Sequence, residues 1–424
     1  MVAFAVARAP CPPVARRSSR AGRAQRAWRT PARLAGGGSS GGGTGDPLGA
    51  ALGGGLRLLE WSGAVVPQGT VVTGVKGAWR AAWVTLMREL APQDASGSYA
   101  RPEASFTGEI EGDSGARFGA GGRYVLYVGN ACPWCHRVVL AAALRGIQEP
   151  SLRLVRAVDD PERASRGGWV FDAPEPLFGS SDLRQVYDEL SPGGYYGRCT
   201  APLLVDVTSR RAVSNDSAAI VRSLRHLPGE SGVDLYPSHL RSEIDAWCVT
   251  IGKKVNAAVY RCGFATTQAG HDAASKVLYE GLDAVEAQLA KTRFVAGNTV
   301  TEADVFLLPT ILRYDLAYAG LFKCSGRNMS SMPNIRHWLR DMWSLPGVAQ
   351  TFDADAARAS YYGLFPLNPS GIVPAGPTRQ ELEAEWSRPF SSRELLAGGE
   401  PRLWSEEQGD VDAGAGAEGV ATKA

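Results

Sequence analysis

Residues 124–144, YVLYVGNACPWCHRVVLAAAL, constrain the local architecture more tightly than any other stretch of the chain. An apolar, strand-like run reaches a turn at Gly129-Asn130, passes through the tetrad Cys132-Pro133-Trp134-Cys135, and continues as an apolar, helix-like run. The pattern predicts a thiol at a strand-to-helix junction. A helix start presents unpaired N–H groups and the positive end of the macrodipole, so a thiol placed there ionises more readily. Pro133 suits the first helical turn, where no N–H is missed. A CxxC can also be half of a zinc site, but no second CxxC or closely spaced His pair completes four ligands. Redox chemistry is the better reading, and no metal is expected.

The 424 residues suggest two or three domains, and 44% hydrophobic content supplies sizeable cores. Apolar stretches are short and interrupted, so no membrane span is expected. Seven cysteines, at 11, 132, 135, 199, 248, 262 and 324, are too sparse for a disulfide scaffold and fit a reducing compartment. Residues 1–45 hold eight Arg, no Lys and no acidic residue, amid Ala, Ser, Pro and Gly. That composition reads as an organellar transit peptide, for a chloroplast or a mitochondrion, with a basic tail in a cytoplasmic protein as the alternative. Without it, 37 basic residues face 43 acidic ones, a balance that argues against a nucleic-acid partner.

Along the chain, Gly36 to Gly43 is a flexible linker, and Lys76 to Leu90 predicts an amphipathic helix with Trp79 and Trp83 in a core stripe. Ala91 to Gly122 reads as an extended arm carrying Tyr99, Arg101, Pro102 and Phe106, either functional or disordered. After the thiol junction come a strand at Leu152 to Val158, a loop from Asp159 to Phe178, and a short helix at Ser181 to Leu190. Strands at Ala201 to Asp206 and Arg211 to Val213 follow, then a capped helix at Ala218 to Leu224. This β-α-β-α-β-β-α order with an early CxxC predicts an α/β thioredoxin-like domain over 123–228. An all-helical domain over 235–365 should follow, with helices at His239 to Asn256, Asp272 to Leu289, Glu302 to Tyr318 and Asn334 to Trp343. Thr301-Glu-Ala-Asp304 is a capping-box start, with Val300 and Val305 as its staple. Residues 46–122 form an N-terminal extension and 366–424 a C-terminal one, whose Gly- and Ala-rich end from Gly409 is expected to be disordered.

A thioredoxin-like half followed by a helical half, with Thr301-Glu-Ala-Asp304 opening a helix, resembles the glutathione transferase superfamily. Within it the chain is most similar to the Xi- and omega-like glutathionyl-hydroquinone reductases. The resemblance rests on Asn130-Ala-Cys-Pro-Trp-Cys-His-Arg137, Gly197-Arg-Cys-Thr-Ala-Pro202, Val213-Ser-Asn-Asp-Ser217, Gly263-Phe-Ala265 after Tyr260, Phe322-Lys-Cys324 and Leu345-Pro-Gly-Val348. Gly97-Ser-Tyr-Ala-Arg-Pro-Glu103 resembles that group's extension before the first strand. The chain departs from the group at Cys135, where a thiol is unusual, and at Asp216, where Glu is usual. The first departure resembles a plant or algal branch, which favours the chloroplast.

The resemblance implies Cys132 as nucleophile and glutathione as co-substrate, lying beside it. Pro202 resembles a cis-proline that presents the Ala201 backbone to the ligand. Asp216 and Ser217 would bind the γ-glutamyl end at a helix N-terminus, and Trp169 resembles an aromatic residue flanking glutathione. Tyr260, Tyr318 and Tyr361 match tyrosines that line the electrophile pocket, although any one of them read alone is simply a tyrosine in a helical core. A homodimer is also implied.

Three functions compete. In the first, the Cys132 thiolate removes glutathione from a glutathionyl-hydroquinone or similar conjugate through a mixed disulfide. In the second, Cys135 resolves that disulfide, as in dithiol glutaredoxins or with dehydroascorbate as substrate. The third is a non-catalytic protein carrying aromatic ligands in the cleft. His136 reads as packing, Arg137 as a glutathione contact or a solvated charge, and Cys199, Cys248, Cys262 and Cys324 as buried small apolar residues.

Overall fold

The computed structural model describes residues 67–388 apart from Arg101 and Pro161. The Arg-rich segment, the Gly/Ser linker and the tail from Gly409 lie outside the described residues. The chain divides into two compact units after Val84, within the first helix among the described residues.

That helix, α1 (Gln68–Leu90), starts eight residues earlier than its periodicity suggests. Trp79 is 60% exposed, so it is not part of a core stripe, and Val72 and Val75 are exposed with it. Met87, in the larger unit, is buried.

In the larger unit the arm makes defined contacts on both sides. Thr107 bridges to Ser214, Gly108 N–H donates to Val213 O at 2.8 Å, and Ile110 N–H donates to Ser223 Oγ at 3.0 Å. At the arm's start, Gln93 Nε2 donates to Phe264 O at 2.8 Å, and Tyr99 meets the Phe264 ring edge-on at 5.3 Å. The arm therefore extends one sheet edge and also packs on the helical half.

The sheet combines β1 (Tyr124–Gly129), β2 (Leu152–Asp159), β3 (Trp169–Val170), β4 (Leu203–Asp206) and β5 (Arg211–Ser214) in the order β3-β2-β1-β4-β5. β1 and β2 are parallel and the other pairs antiparallel. Every residue of β1 is buried, as a central strand with both faces covered requires. β3 lies inside the segment expected to be loop. Two residues suffice for a strand there because Val170 and Trp169 pair with Val158 and Asp159 at the end of β2. Helix α2 (Pro133–Arg145) follows β1, α3 (Leu183–Glu189) precedes β4, and α4 (Ser217–Leu224) follows β5. This is the thioredoxin-like arrangement expected, completed by a helical half.

In that half, the first expected helix ends at Asn256 only as a change of winding. The chain runs from α5 (Arg241–Thr250) through a π-helical stretch, Ile251–Asn256, into α6 (Ala257–Phe264). α7 (Gln268–Leu289) precedes α8 (Glu302–Leu312), which is buried along its whole length and packs on both α2 and α5. A helix apolar on every side belongs at the centre of a bundle. The expected continuation to Tyr318 is a second π-helical stretch, Tyr314–Tyr318, entered after Pro309 and Arg313. α9 (Pro333–Ser344) and α10 (Ala354–Tyr362) complete the half; α10 falls within the stretch expected to be helical but outside the helices whose bounds the periodicity predicts. The C-terminal extension holds a further helix, α11 (Arg379–Trp386), where no element was expected. Trp386 is buried against Trp343 and Phe352, at ring separations of 4.7 and 6.0 Å.

Candidate active site

Cys132 is the N-cap of α2, with extended backbone angles and Pro133 in the first turn. Its carbonyl accepts from His136 N–H at 2.9 Å, so the helix hydrogen-bond ladder starts at the nucleophile candidate. Cys132 Sγ approaches Ala201 O at 3.8 Å. Cys135, one turn along, accepts from Gly129 N–H at 3.2 Å. Burial opposes ionisation of Cys132, but the S–H donated by Cys135 and the N–H groups of Cys135 and Trp134 outweigh it and bring the thiol down to about 6. For Cys135, burial and the hydrogen bond to Cys132 both push the thiol well above its ordinary value. The two sulfurs thus divide into a thiolate and the thiol that donates to it.

The Ala201-Pro202 bond is cis. The backbone before it is anchored by a residue the sequence reading missed. Tyr187, fully buried on α3, donates its hydroxyl to Thr200 O at 2.7 Å and accepts from Asn215 Nδ2 at 3.1 Å. The turn bearing Ala201 is thereby tied to the turn bearing Asp216. Asp216 is the N-cap of α4 and accepts from Ala218 N–H at 2.9 Å. Ser217 is fully buried, and its Oγ has no hydrogen-bond partner among the described residues. A buried hydroxyl left open at a helix N-terminus fits a site for an anionic ligand group. Trp169 is buried on β3 and packs closely against the glycine at the end of β1. A Cβ at Gly129 would overlap the indole, so the glycine is what lets the ring approach the strand beside the thiol turn.

Tyr260, Tyr318 and Tyr361 come from α6, the second π-helical stretch and α10, and their hydroxyls converge. Tyr361 Oη lies 2.7 Å from both Tyr260 Oη and Tyr318 Oη, which are 3.5 Å from each other. Phe322 packs on all three rings, and the absence of a side chain at Gly263 makes room for it. Burial first, and the neighbouring phenols second, hold Tyr260 and Tyr361 well above the ordinary phenol range. All three stay neutral and able to donate. Trp134 of the thiol tetrad meets the Tyr260 ring at 6.0 Å, so the phenol cluster and the thiol turn share a wall.

Behind that wall lies Arg313, 1% exposed, whose position inside an apolar run gave no sign of a role. Its guanidinium donates to Ala131 O at 3.2 and 3.3 Å and to His136 Nδ1 at 3.1 Å, and stacks on Phe352. His136 is a packing residue, stacked on Phe352 and bonded through Nε2 to Thr351 Oγ1 at 2.8 Å. Burial, and then the Arg313 charge, hold it neutral. Arg137 is not a solvated charge: it is buried between the rings of Trp134 and Phe306. Cys262 and Cys324 are buried, whereas Cys199 and Cys248 are only half-buried.

Two family models match the chain: the glutathione S-transferase N-terminal domain over residues 131–227 and the C-terminal domain over 268–341. Glutathionyl-hydroquinone reductase PcpF of Sphingobium chlorophenolicum is 37% identical over 315 residues, covering 72% of this chain and 96% of that protein. Among solved structures, the Xi glutathione S-transferase of Phanerochaete chrysosporium superposes with a TM-score of 0.60 at 33% identity, over 66% of this chain and 98% of that one. The glutathione-bound structure of YqjG from Escherichia coli gives 0.58 at 35% identity, over 66% and 94%.

Proposed function

Because the chain belongs to the glutathione transferase superfamily, among its Xi- and omega-like glutathionyl-hydroquinone reductases, and is a glutathione-dependent oxidoreductase, we propose that it removes glutathione from aromatic thioethers such as glutathionyl-hydroquinones. The observation that carries this reading is the pairing of a low thiol at Cys132 with a converged cluster of neutral phenols on the same wall. A disulfide reductase needs the first; only an aromatic, hydroxylated leaving group makes use of the second.

The Cys132 thiolate attacks the glutathione sulfur, the carbon–sulfur bond breaks as the sulfur–sulfur bond forms, and the hydroquinone leaves. A second glutathione attacks the mixed disulfide, releasing glutathione disulfide and restoring the thiolate. At the start of α4, Ser217 takes the α-carboxylate of the γ-glutamyl end and Asp216 accepts from its α-ammonium, Ala201 meets the cysteinyl backbone, and Trp169 bounds the groove. The Tyr260, Tyr318 and Tyr361 hydroxyls donate to the hydroquinone oxygens, where charge builds as the ring departs. Tyr361→Phe removes the hub of the cluster. Turnover of glutathionyl-hydroquinone should fall about 10- to 100-fold, while reduction of a glutathione mixed disulfide of a small alkyl thiol stays near wild type. Equal losses on both substrates would contradict a role specific to the aromatic group.

In this monothiol scheme Cys135 donates to the thiolate instead of resolving the disulfide. Cys135→Ala removes the S–H donor, so the Cys132 thiol should titrate higher than about 6, read from thiolate absorbance or alkylation rate against pH. The sign follows from the charged form losing its hydrogen bond. The closeness of the two thiols also suits a dithiol route. Cys135→Ser distinguishes them: retained hydroquinone release and turnover support the monothiol scheme, and loss of turnover with every substrate supports resolution by Cys135.

A further inference from the structure

The reaction proposed above needs a proton that none of its named groups supplies. When the aryl carbon–sulfur bond breaks with its electron pair on carbon, the ring must take up one proton. When the second glutathione attacks, its thiol must lose one. A neutral phenol can donate to a hydroquinone oxygen, but the site needs a group that gives a proton in the first half-reaction and recovers it in the second.

Asp159 stands where such a group is needed. It is the last residue of β2, and the parallel register pairs Ala157 with Gly129, so Asp159 sits at the carboxyl end of β2 and Cys132 just beyond that of the neighbouring β1. Across β3 it pairs with Trp169. Its Oδ2 accepts from Ser360 Oγ at 2.9 Å, and Ser360 precedes Tyr361 on α10, so the carboxyl joins the thiol half to the phenol half. Its Oδ1 is buried with no hydrogen-bond partner among the described residues. A buried carboxylate oxygen left open is costly unless the group serves as a proton carrier or ligand contact.

We propose that Asp159 is the proton carrier of the site, giving its proton to the departing aryl carbon and regaining it from the glutathione that resolves the mixed disulfide. This rests on the aromatic-thioether reading above. In the first half-reaction, Cys132 thiolate, glutathionyl-hydroquinone and the Asp159 carboxylic acid become the Cys132–glutathione disulfide, free hydroquinone and the Asp159 carboxylate. In the second, glutathione gives its thiol proton to Asp159, and its thiolate displaces Cys132, yielding glutathione disulfide, the Cys132 thiolate and the Asp159 acid. The sum consumes one glutathione and one conjugate and leaves the enzyme unchanged.

The electrostatics drive the cycle in the right direction. Burial first, with the Cys132 thiolate and Asp160 adding to it and the Ser360 hydrogen bond opposing it, leaves the Asp159 carboxyl raised to about 6. Asp160 is itself within 3.7 Å of Arg163. While Cys132 is ionised, its charge favours the Asp159 acid. Once Cys132 is consumed in a neutral disulfide, that push disappears and the proton is released more readily. Coupling of this kind is reciprocal, so the regenerated thiolate again favours the protonated carboxyl.

Asp159→Asn keeps an oxygen to accept from Ser360 but cannot carry a proton. In single turnovers with excess enzyme, hydroquinone release from glutathionyl-hydroquinone should slow about 100-fold, and the descending limb of its pH profile should vanish. Cleavage of the mixed disulfide of glutathione and 2-mercaptoethanol, whose sulfur leaves as a thiolate, should stay within about threefold of wild type. The Cys132 thiol should titrate lower, because a neighbouring negative charge is gone. Ser360→Ala should move the descending limb to higher pH, since the bond lost favours the carboxylate. Equal slowing of both substrates, no slowing of either, or a limb unmoved in Ser360→Ala would overturn the proposal. A wild-type enzyme that cleaves the mixed disulfide but not glutathionyl-hydroquinone would instead remove the substrate reading on which it rests.

Discussion

Cys132→Ser should lower glutathionyl-hydroquinone reduction by about 10³-fold or more while leaving the fold and glutathione binding in place. The loss is large because a serine hydroxyl at the same helix start does not ionise near neutral pH and cannot form the mixed disulfide. The fold survives because the sulfur's contacts are weak: its approach to Ala201 O is 3.8 Å, and the helix is capped through backbone groups that serine retains. Glutathione should still raise the melting temperature of the variant, because the open Ser217 hydroxyl, Asp216 and Trp169 are untouched. Thermal shift with and without glutathione, beside the activity assay, separates a lost nucleophile from a lost site. A variant that keeps more than about a tenth of wild-type turnover would show that another group attacks.

Asp304→Ala should destabilise the protein by about 4 kcal/mol, near the upper end for a single substitution. Asp304 is fully buried at the start of α8. Its carboxylate accepts from Thr301 N–H at 2.9 Å, Thr301 Oγ at 3.1 Å, Val295 N–H at 3.0 Å and Trp338 Nε1 at 2.8 Å. Alanine leaves these donors stranded in the core at a cost of about 1–3 kcal/mol each, less whatever relaxation recovers. Val300 and Val305, both fully buried, pack at the same turn. Because α8 packs on the thiol helix α2, loosening its start should also lower activity before global unfolding. Urea unfolding of the wild type, Asp304→Ala and Asp304→Asn tests this. Asparagine, which keeps one acceptor oxygen, should lose about half as much. A cost below about 1 kcal/mol for alanine would mean that the core supplies other partners.

Features coded by neighbouring residues were readable before the structure. The strand, tetrad and helix around Cys132 announce themselves through two apolar runs separated by Gly129-Asn130, the tetrad and His136-Arg137. The Thr301–Asp304 cap is likewise written in consecutive residues. What depends on convergence was harder to see. Tyr260, Tyr318 and Tyr361 are separated by long stretches of sequence, and two of them sit beside or within π-helical stretches, where a 3.6-residue period misplaces side chains. Their roles came only from the resemblance, and their hydroxyl contacts only from the fold. Arg313 lies inside a stretch read as one continuous helix, where a single charge gives no sign of a role; its acceptor partners Ala131, His136 and Pro309 come partly from the other domain. Tyr187 is an ordinary aromatic on a short helix until Thr200 and Asn215 are placed around its hydroxyl. Asp159 was read as the first residue of a loop, because polarity at a strand end carries no sign of what faces it. α11 was missed for an opposite reason: a largely polar helix is held by one buried ring, Trp386, and by Glu385 paired with Arg336 at 3.0 Å, neither of which makes a periodic apolar face.

The proposed reaction passes through a covalent intermediate at a single sulfur. Mixing the enzyme with one equivalent of glutathionyl-hydroquinone in the absence of free glutathione, quenching in acid and mapping the peptides by mass spectrometry reads that intermediate directly. The expected result is one glutathione joined by a disulfide to Cys132, with hydroquinone released in equal amount and Cys135 unmodified. Hydroquinone released with Cys132 unmodified, or glutathione found on Cys135, would contradict it.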